Sequence, residues 1–332
     1  MKLCLGCGTP FDRPEWRCAQ CGWAPALVEN RLAFAAELMD APVGFEARFF
    51  DHLPELEAAS FWFRARDRLL TWAFGRYFPG ARSFFEVGCG TGYVLAGLRR
   101  AFPGLELSAS EPFLAGLAQA GRRVPDATVF QMDARRIPFS AEFDVVGAFD
   151  VLEHIDDDEA VLAEMFRAAR PGGGILLTVP QHRFLWSAAD EYSHHRRRYS
   201  RRELLAKVRR AGFRPLRTTS FVSLLLPLML LSRMRQGRSV EGFDPAGEHR
   251  RGRWLDALLG GVMALERAFI VRGVSWPMGG SLLMVAERPP GSRPLPAAAA
   301  VGSPPAGGRG ASPRGRSGAA CSTGSRYGRA PR

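Results

Sequence analysis

The sequence lacks an apolar stretch long enough to cross a bilayer. The run 221–231 is apolar for 11 residues, about half of the ~20 that a spanning helix needs. The first residues lack the apolar core of a secretory signal. A reducing, cytoplasmic setting is therefore expected, and the six cysteines are not expected to form disulfides. Acid is missing from residues 291–332, where seven arginines supply seven of the net +12 charges and leave +5 for the rest. The basic balance is thus largely a property of the tail and argues weakly for a nucleic-acid partner. The tail is rich in Pro, Gly, Ala, Ser and Arg and poor in large apolar residues. It cannot bury enough surface to offset ordering, so residues 289–332 are expected to be disordered. A dinucleotide fingerprint, G-x-G-x-x-G, is also missing.

What stands in its place is Glu86-Val87-Gly88-Cys89-Gly90-Thr91-Gly92-Tyr93. Residues 82–87 are apolar and read as a buried strand, and 93–102 read as a helix. A strand, a glycine turn and a helix open a nucleotide-binding α/β unit. Glycine lets the backbone approach a ligand, and the helix start offers free N–H groups. Tyr93 falls where the third glycine of the dinucleotide fingerprint would be.

The chain then alternates. Strands are expected at 105–110, 127–132, 143–149, 175–179 and 213–222, with helices between them. Glu111 follows the second strand, 23 residues after Gly88, where a carboxylate can accept hydrogen bonds from ribose. Such alternation means a doubly wound, mostly parallel sheet.

Five motifs occur in order: Glu86 to Gly92, Glu111, Met132-Asp133-Ala134, Asp150-Val151-Leu152-Glu153-His154 and Arg170-Pro171-Gly172-Gly173. Together they resemble class I S-adenosylmethionine-dependent methyltransferases, nearest the quinone- and small-molecule-modifying branch. The resemblance covers about 82–222 and resumes at 280–287. It implies a seven-stranded Rossmann-like sheet whose last strand runs antiparallel, and S-adenosylmethionine as cofactor. It implies that Gly88, Gly90 and Gly92 line the methionine part, with Glu86 beside them. Glu111 would hold the ribose, Asp133 with Ala134 the adenine, and Asp150 would close the pocket. The family often has Asp where Glu86 stands.

Cys4-x-x-Cys7-Gly8 and Cys18-x-x-Cys21-Gly22 place four thiolates where one tetrahedral Zn²⁺ can hold them. Redox pairs and a chance cluster are the alternatives, but neither has a thioredoxin-like context. Four cysteines close the coordination sphere, so the expected zinc is structural. Only Arg13 and Arg17 lie between the pairs, which gives no basic stripe for nucleic acid.

The expected domains are a zinc ribbon at 1–26, a helical lead-in at 27–80, and a core at 81–222 and 280–288. An apolar helical insertion at 223–279 and the tail at 289–332 complete them. Residues 30–78 read as helical, mixing aromatics with arginines. This segment either packs plainly on the sheet or caps the cofactor, with Arg66 pairing the donor's carboxylate. Residues 180–200 hold three of the six histidines at the sheet's ligand-binding edge. They suggest acid–base or substrate work; a solvated loop capped by Ser200, or a metal held by Asp190 with His194 or His195, are the other readings. His154 is the first candidate base, followed by His194 and His195, and a pocket-wall role for His154 stands beside it. Cys89 reads as packing.

The insertion's apolar faces leave three readings open: core packing, cover for a lipid-like acceptor, or peripheral contact with a membrane. The expected activity is methyl transfer to a small-molecule or lipid-like acceptor. The competing readings are a nicotinamide-dependent oxidoreductase and a zinc-ribbon adaptor that binds the cofactor without catalysis.

Overall fold

The fold follows from alternation within the strands. Phe84, Val145, Leu176, Leu283 and Val285 face one side of the sheet. Their neighbours Phe85, Val146, Leu177, Leu282 and Met284 face the other. A strand's side chains alternate, so a sheet apolar on both faces must be covered on both. A computed structural model of the chain shows this three-layer arrangement. It describes residues 1–39, 47–236 and 252–292. All of these lie within one compact unit, Met1–Ala297. The expected disordered tail beyond 292, and 237–251 of the insertion, lie outside the described residues.

The chain opens with a small hairpin, β1 (Lys2–Leu3) and β2 (Pro10–Phe11), then β3 (Ala26–Val28) and β4 (Arg31–Ala33). Helices α1 (Ala47–Ala59) and α2 (Phe61–Tyr77) follow. The alternating core is β5 (Ser83–Val87), α3 (Tyr93–Ala101), β6 (Glu106–Glu111), α4 (Leu114–Arg123), β7 (Thr128–Gln131), β8 (Phe143–Phe149), α5 (Asp158–Ala168) and β9 (Ala169–Pro180). Then come α6 (Ala188–Tyr192), α7 (Arg201–Arg210), β10 (Arg214–Phe221), α8 (Leu226–Gln236), α9 (Arg253–Val271) and β11 (Ser281–Glu287).

The main sheet has nine strands in the order β10-β11-β9-β8-β5-β6-β7-β4-β3. Seven of them are the expected Rossmann-like set. β5 pairs in parallel with β6 and β8, and β11 runs antiparallel between β9 and β10. One face carries α2, α3 and α9, and the other α5 and α7.

Two expectations need correction. Residues 27–33, expected in the helical lead-in at 27–80, are not helical, and with Ala26 they supply two strands. They form a hairpin whose two turn residues, Glu29 and Asn30, both have positive φ (47° and 64°), the geometry of a two-residue primed turn. Its inner strand pairs in parallel with β7 at Ala33 and Gln131, covering backbone groups that an edge strand would leave exposed. Residues 171–174, which precede the strand expected at 175–179, are not outside it. They belong to the long strand β9, and Gly174 comes so close to β11 that a Cβ there would sit 2.2 Å from the Ala286 carbonyl oxygen.

α9 is amphipathic in an inverted sense. Its inner face buries Asp256 and Glu266 beside Leu259, Met263 and Ile270. Asp256 accepts the Phe61 N–H at 2.7 Å and pairs with Arg64. Glu266 accepts the N–H groups of Ser223 and Leu224 at 2.7 and 2.8 Å. Both carboxylates satisfy donors at the start of other helices, as capping residues do. Trp254, Leu258, Leu265 and Phe269 are exposed instead, Trp254 by 74%.

Candidate functional site

The turn after β5 is built from three glycines with φ of +67° (Gly88), +54° (Gly90) and +75° (Gly92). Side-chain-bearing residues avoid this region. The three are not equivalent. A Cβ at Gly88 would lie 2.7 Å from Val151, and one at Gly92 would lie 3.0 Å from the Ala120 backbone. At Gly90 a Cβ would meet nothing within 4 Å. Gly88 and Gly92 therefore serve packing, and Gly90 opens the turn towards space.

Carboxylates crowd this turn. Glu111, at the end of β6, accepts the Gly90 N–H at 2.9 Å. Burial pushes its pKa up to about 7, against the lowering effect of the Gly90 and Phe113 N–H groups. Glu86 on β5 is fully buried, and burial raises its pKa well above the usual range, opposed by Arg66. Among the described residues nothing bonds to Glu86 Oε2. Asp150, just past β8, holds φ at +57°. It forms an ion pair with Arg66 and accepts the Thr178 hydroxyl at 3.2 Å. Arg66 also stacks over Trp62, 4.5 Å from the ring centre.

Arg66, Glu86, the three glycines, Glu111 and Asp150 thus gather at the ends of β5, β6 and β8, where open α/β sheets bind ligands. Asp133, beyond β7, is instead engaged by its neighbour: Arg135 donates its backbone N–H at 2.9 Å and its guanidinium at 2.8 Å. Ala134 packs against the core.

α1 covers the turn, in line with the capping reading of residues 30–78, through a side-chain pair that the sequence did not announce. Glu57 bonds the Thr91 hydroxyl and pairs with Arg123 at 2.6 Å, and Arg123 reaches Thr91 Oγ1 at 2.7 Å. Phe50 packs on Phe113 with ring centres 6.2 Å apart. Glu57 and Thr91 are 34 residues apart, so no local pattern could have paired them.

The histidines divide. His154 and His195 meet edge to face with ring centres 4.7 Å apart. Burial, then the neighbouring His195, lowers the His154 pKa to about 3, so this ring stays neutral and is a weak base. His195 Nδ1 lies 2.8 Å from Asp190 Oδ1. Burial tends to raise the Asp190 pKa, but the bonds from His195 and Arg198 outweigh it and hold the carboxyl well below its usual range. Asp190 is therefore a fixed, ionised anchor. His194 is exposed and outside this pair.

The four N-terminal cysteines converge as expected. Cys4 and Cys21 sulfurs are 3.5 Å apart, those of Cys7 and Cys18 are 3.7 Å apart, and all four lie within 4.8 Å of one another. Zn–S bonds of ~2.3 Å in a tetrahedron separate the sulfurs by roughly 3.8 Å. The Gly6 N–H also points at Cys4 Sγ, 3.3 Å away. Trp16 anchors this lobe to the sheet, its ring centre 4.7 Å from Phe34 and 5.6 Å from Phe139.

Comparison with known proteins gives these features a context. Residues 55–218 match the methyltransferase domain family. A probable S-adenosylmethionine-dependent methyltransferase of Mycolicibacterium smegmatis is 29% identical over 168 residues, 48% of this chain and 62% of that protein. The trans-aconitate 2-methyltransferase of Deinococcus radiodurans is 31% identical over 114 residues, 32% of this chain and 43% of that protein. These matches span less than two thirds of either relative. Among solved structures, the [4+2]-cyclase SpnF shares the fold with a TM-score of 0.50 and 19% identity, covering 76% of this chain and 99% of that one.

Proposed function

Because the chain belongs to the class I S-adenosylmethionine-dependent methyltransferases, we propose that it moves a methyl group from that donor to a small-molecule or lipid-like acceptor. The observation that carries this reading is the open left-handed turn at Gly90, ringed by the buried carboxylates Glu86 and Glu111. The residues present fit the donor. Space opens at Gly90, Glu86 Oε2 has an unused acceptor position among the described residues, and the Glu111 carboxylate can accept hydrogen bonds from hydroxyl groups. The donor, when bound, supplies a methyl group activated by a sulfonium.

The chain's own residues have a positioning task, which can lower a barrier by ~7–11 kcal/mol. Glu111 would hold the ribose and Asp133 with Ala134 the adenine. Arg66 and Asp150 would frame the other end of the donor, next to α1 and α2, which exclude water. His154, and His195 fixed by Asp190, are the groups we place at the acceptor, with His194 at its rim.

The acceptor class is supported by two features. The Deinococcus radiodurans relative is named for a small acid, trans-aconitate. The exposed stripe of α9, Trp254 to Phe269, flanked by Arg253, Arg267 and Arg272, suits contact with a lipid surface. No described helix is long and apolar enough to cross a membrane. The four cysteines would hold a structural Zn²⁺ and so tie the N-terminal lobe together.

Calorimetric titration of the full chain tests the donor assignment. S-adenosylmethionine should bind at one site per chain and NADH should not; the reverse preference would overturn the reading.

A further inference from the structure

Three side chains with no role in donor binding lie together past the end of β8. Glu153, His154 and His195 each offer a ligand atom, and these atoms all lie within 4.8 Å of one another. Glu153 is fully buried, and among the described residues no other residue donates a hydrogen bond to either carboxylate oxygen. A buried carboxylate without donors is costly and calls for a partner.

The surroundings suit a cation. His195 uses Nδ1 towards Asp190, which leaves the lone pair of Nε2 for a ligand. A carboxylate behind an imidazole is the arrangement that orients metal-bound histidines. Asp190 is itself locked by Arg198, at 2.7 and 3.0 Å, and by the Ser187 N–H at 2.9 Å. The nearby cations are already neutralised: Arg198 by Asp190, and Arg197 and Lys207 by Asp158. The Arg196 N–H grips the Glu153 carbonyl at 2.7 Å, tying the loop after β9 to the turn after β8.

We propose that Glu153, His154 and His195 bind a divalent first-row transition-metal ion, at a site separate from the four cysteines. Two imidazoles and one carboxylate are a donor set for such ions. Metal–ligand bonds of ~2.0–2.2 Å put ligand atoms about 3–3.5 Å apart. Rotation of the imidazoles by roughly an ångström at the ligand atoms closes the present gap. Three protein ligands leave coordination positions open. On the methyl-transfer reading, and only on it, an acceptor hydroxyl would fill one of them through its oxygen and, once bound, release its proton to solvent more readily.

The test is Mn²⁺ titration of the full-length, zinc-loaded protein, following free Mn²⁺ by electron paramagnetic resonance. One Mn²⁺ should bind per chain. Glu153→Gln, a neutral isostere, and His195→Gln should each weaken it at least tenfold, while His194→Gln and Cys18→Ser leave it intact. Thermal melts identify a variant that fails to fold, and the other then decides. No binding by the unaltered protein, or binding that survives both substitutions, overturns the proposal. Donor titration on the same samples keeps the two readings apart: an unaltered protein that binds S-adenosylmethionine but no Mn²⁺ sinks the metal site alone.

Discussion

Glu111 Oε2 accepts the backbone N–H of Gly90 at 2.9 Å. The end of β6 is thereby tied to the turn after β5, and the carboxyl that would hold the ribose already rests on the donor cradle. Its pKa, pushed up to about 7 by burial, makes the contact sensitive to pH. A ligand that donates hydrogen bonds to the carboxylate favours the ionised form. Below pH 7 the proton must first leave, so affinity falls as pH falls. S-adenosylmethionine should bind about tenfold more weakly at pH 6 than on the plateau above pH 8. Calorimetry measures this, and a flat profile would remove Glu111 from the contact. Glu111→Gln should abolish the pH dependence.

Gly90→Arg places a long side chain where a Cβ now meets nothing. The strain of a left-handed non-glycine residue is about 1–2 kcal/mol, which a domain of this size tolerates. Donor binding should vanish while the far-ultraviolet circular dichroism is kept. Undiminished calorimetric binding would refute the placement of the donor.

Cys18→Ser removes one of four converging sulfurs, a buried one. Zinc content measured on the purified chain should fall sharply from near one per molecule. The thermal midpoint should fall too, because the lobe docks through Trp16 on Phe34 and Phe139. If the unaltered protein contains no zinc, the structural-zinc reading fails.

Trp254 and Leu258 are two adjacent members of the exposed α9 stripe, exposed by 74% and 56%. Replacing both with Ser should weaken co-sedimentation with phosphatidylglycerol vesicles by roughly tenfold or more and leave donor affinity unchanged. Equal sedimentation of both proteins would assign the stripe to something other than lipid.

What the sequence determined by itself is what depends on near neighbours. The alternating strands and helices, the glycine turn, Glu111 after the second strand and the two paired-cysteine turns are patterns of short spacing, legible because hydrophobic period and turn chemistry act locally. The tertiary structure alone decided what depends on distant partners. Residues 26–33 became a hairpin because the edge of β7 needed pairing. Asp256 and Glu266 turned inward because their donors, Phe61 and Ser223, lie 195 and 43 residues away. Arg66 found Asp150 across 84 residues, and Glu153 with its neighbour His154 was enclosed beside His195 from a separate segment. A buried charge takes its partner from whatever the fold brings within a few ångströms, and no window along the chain contains that distance.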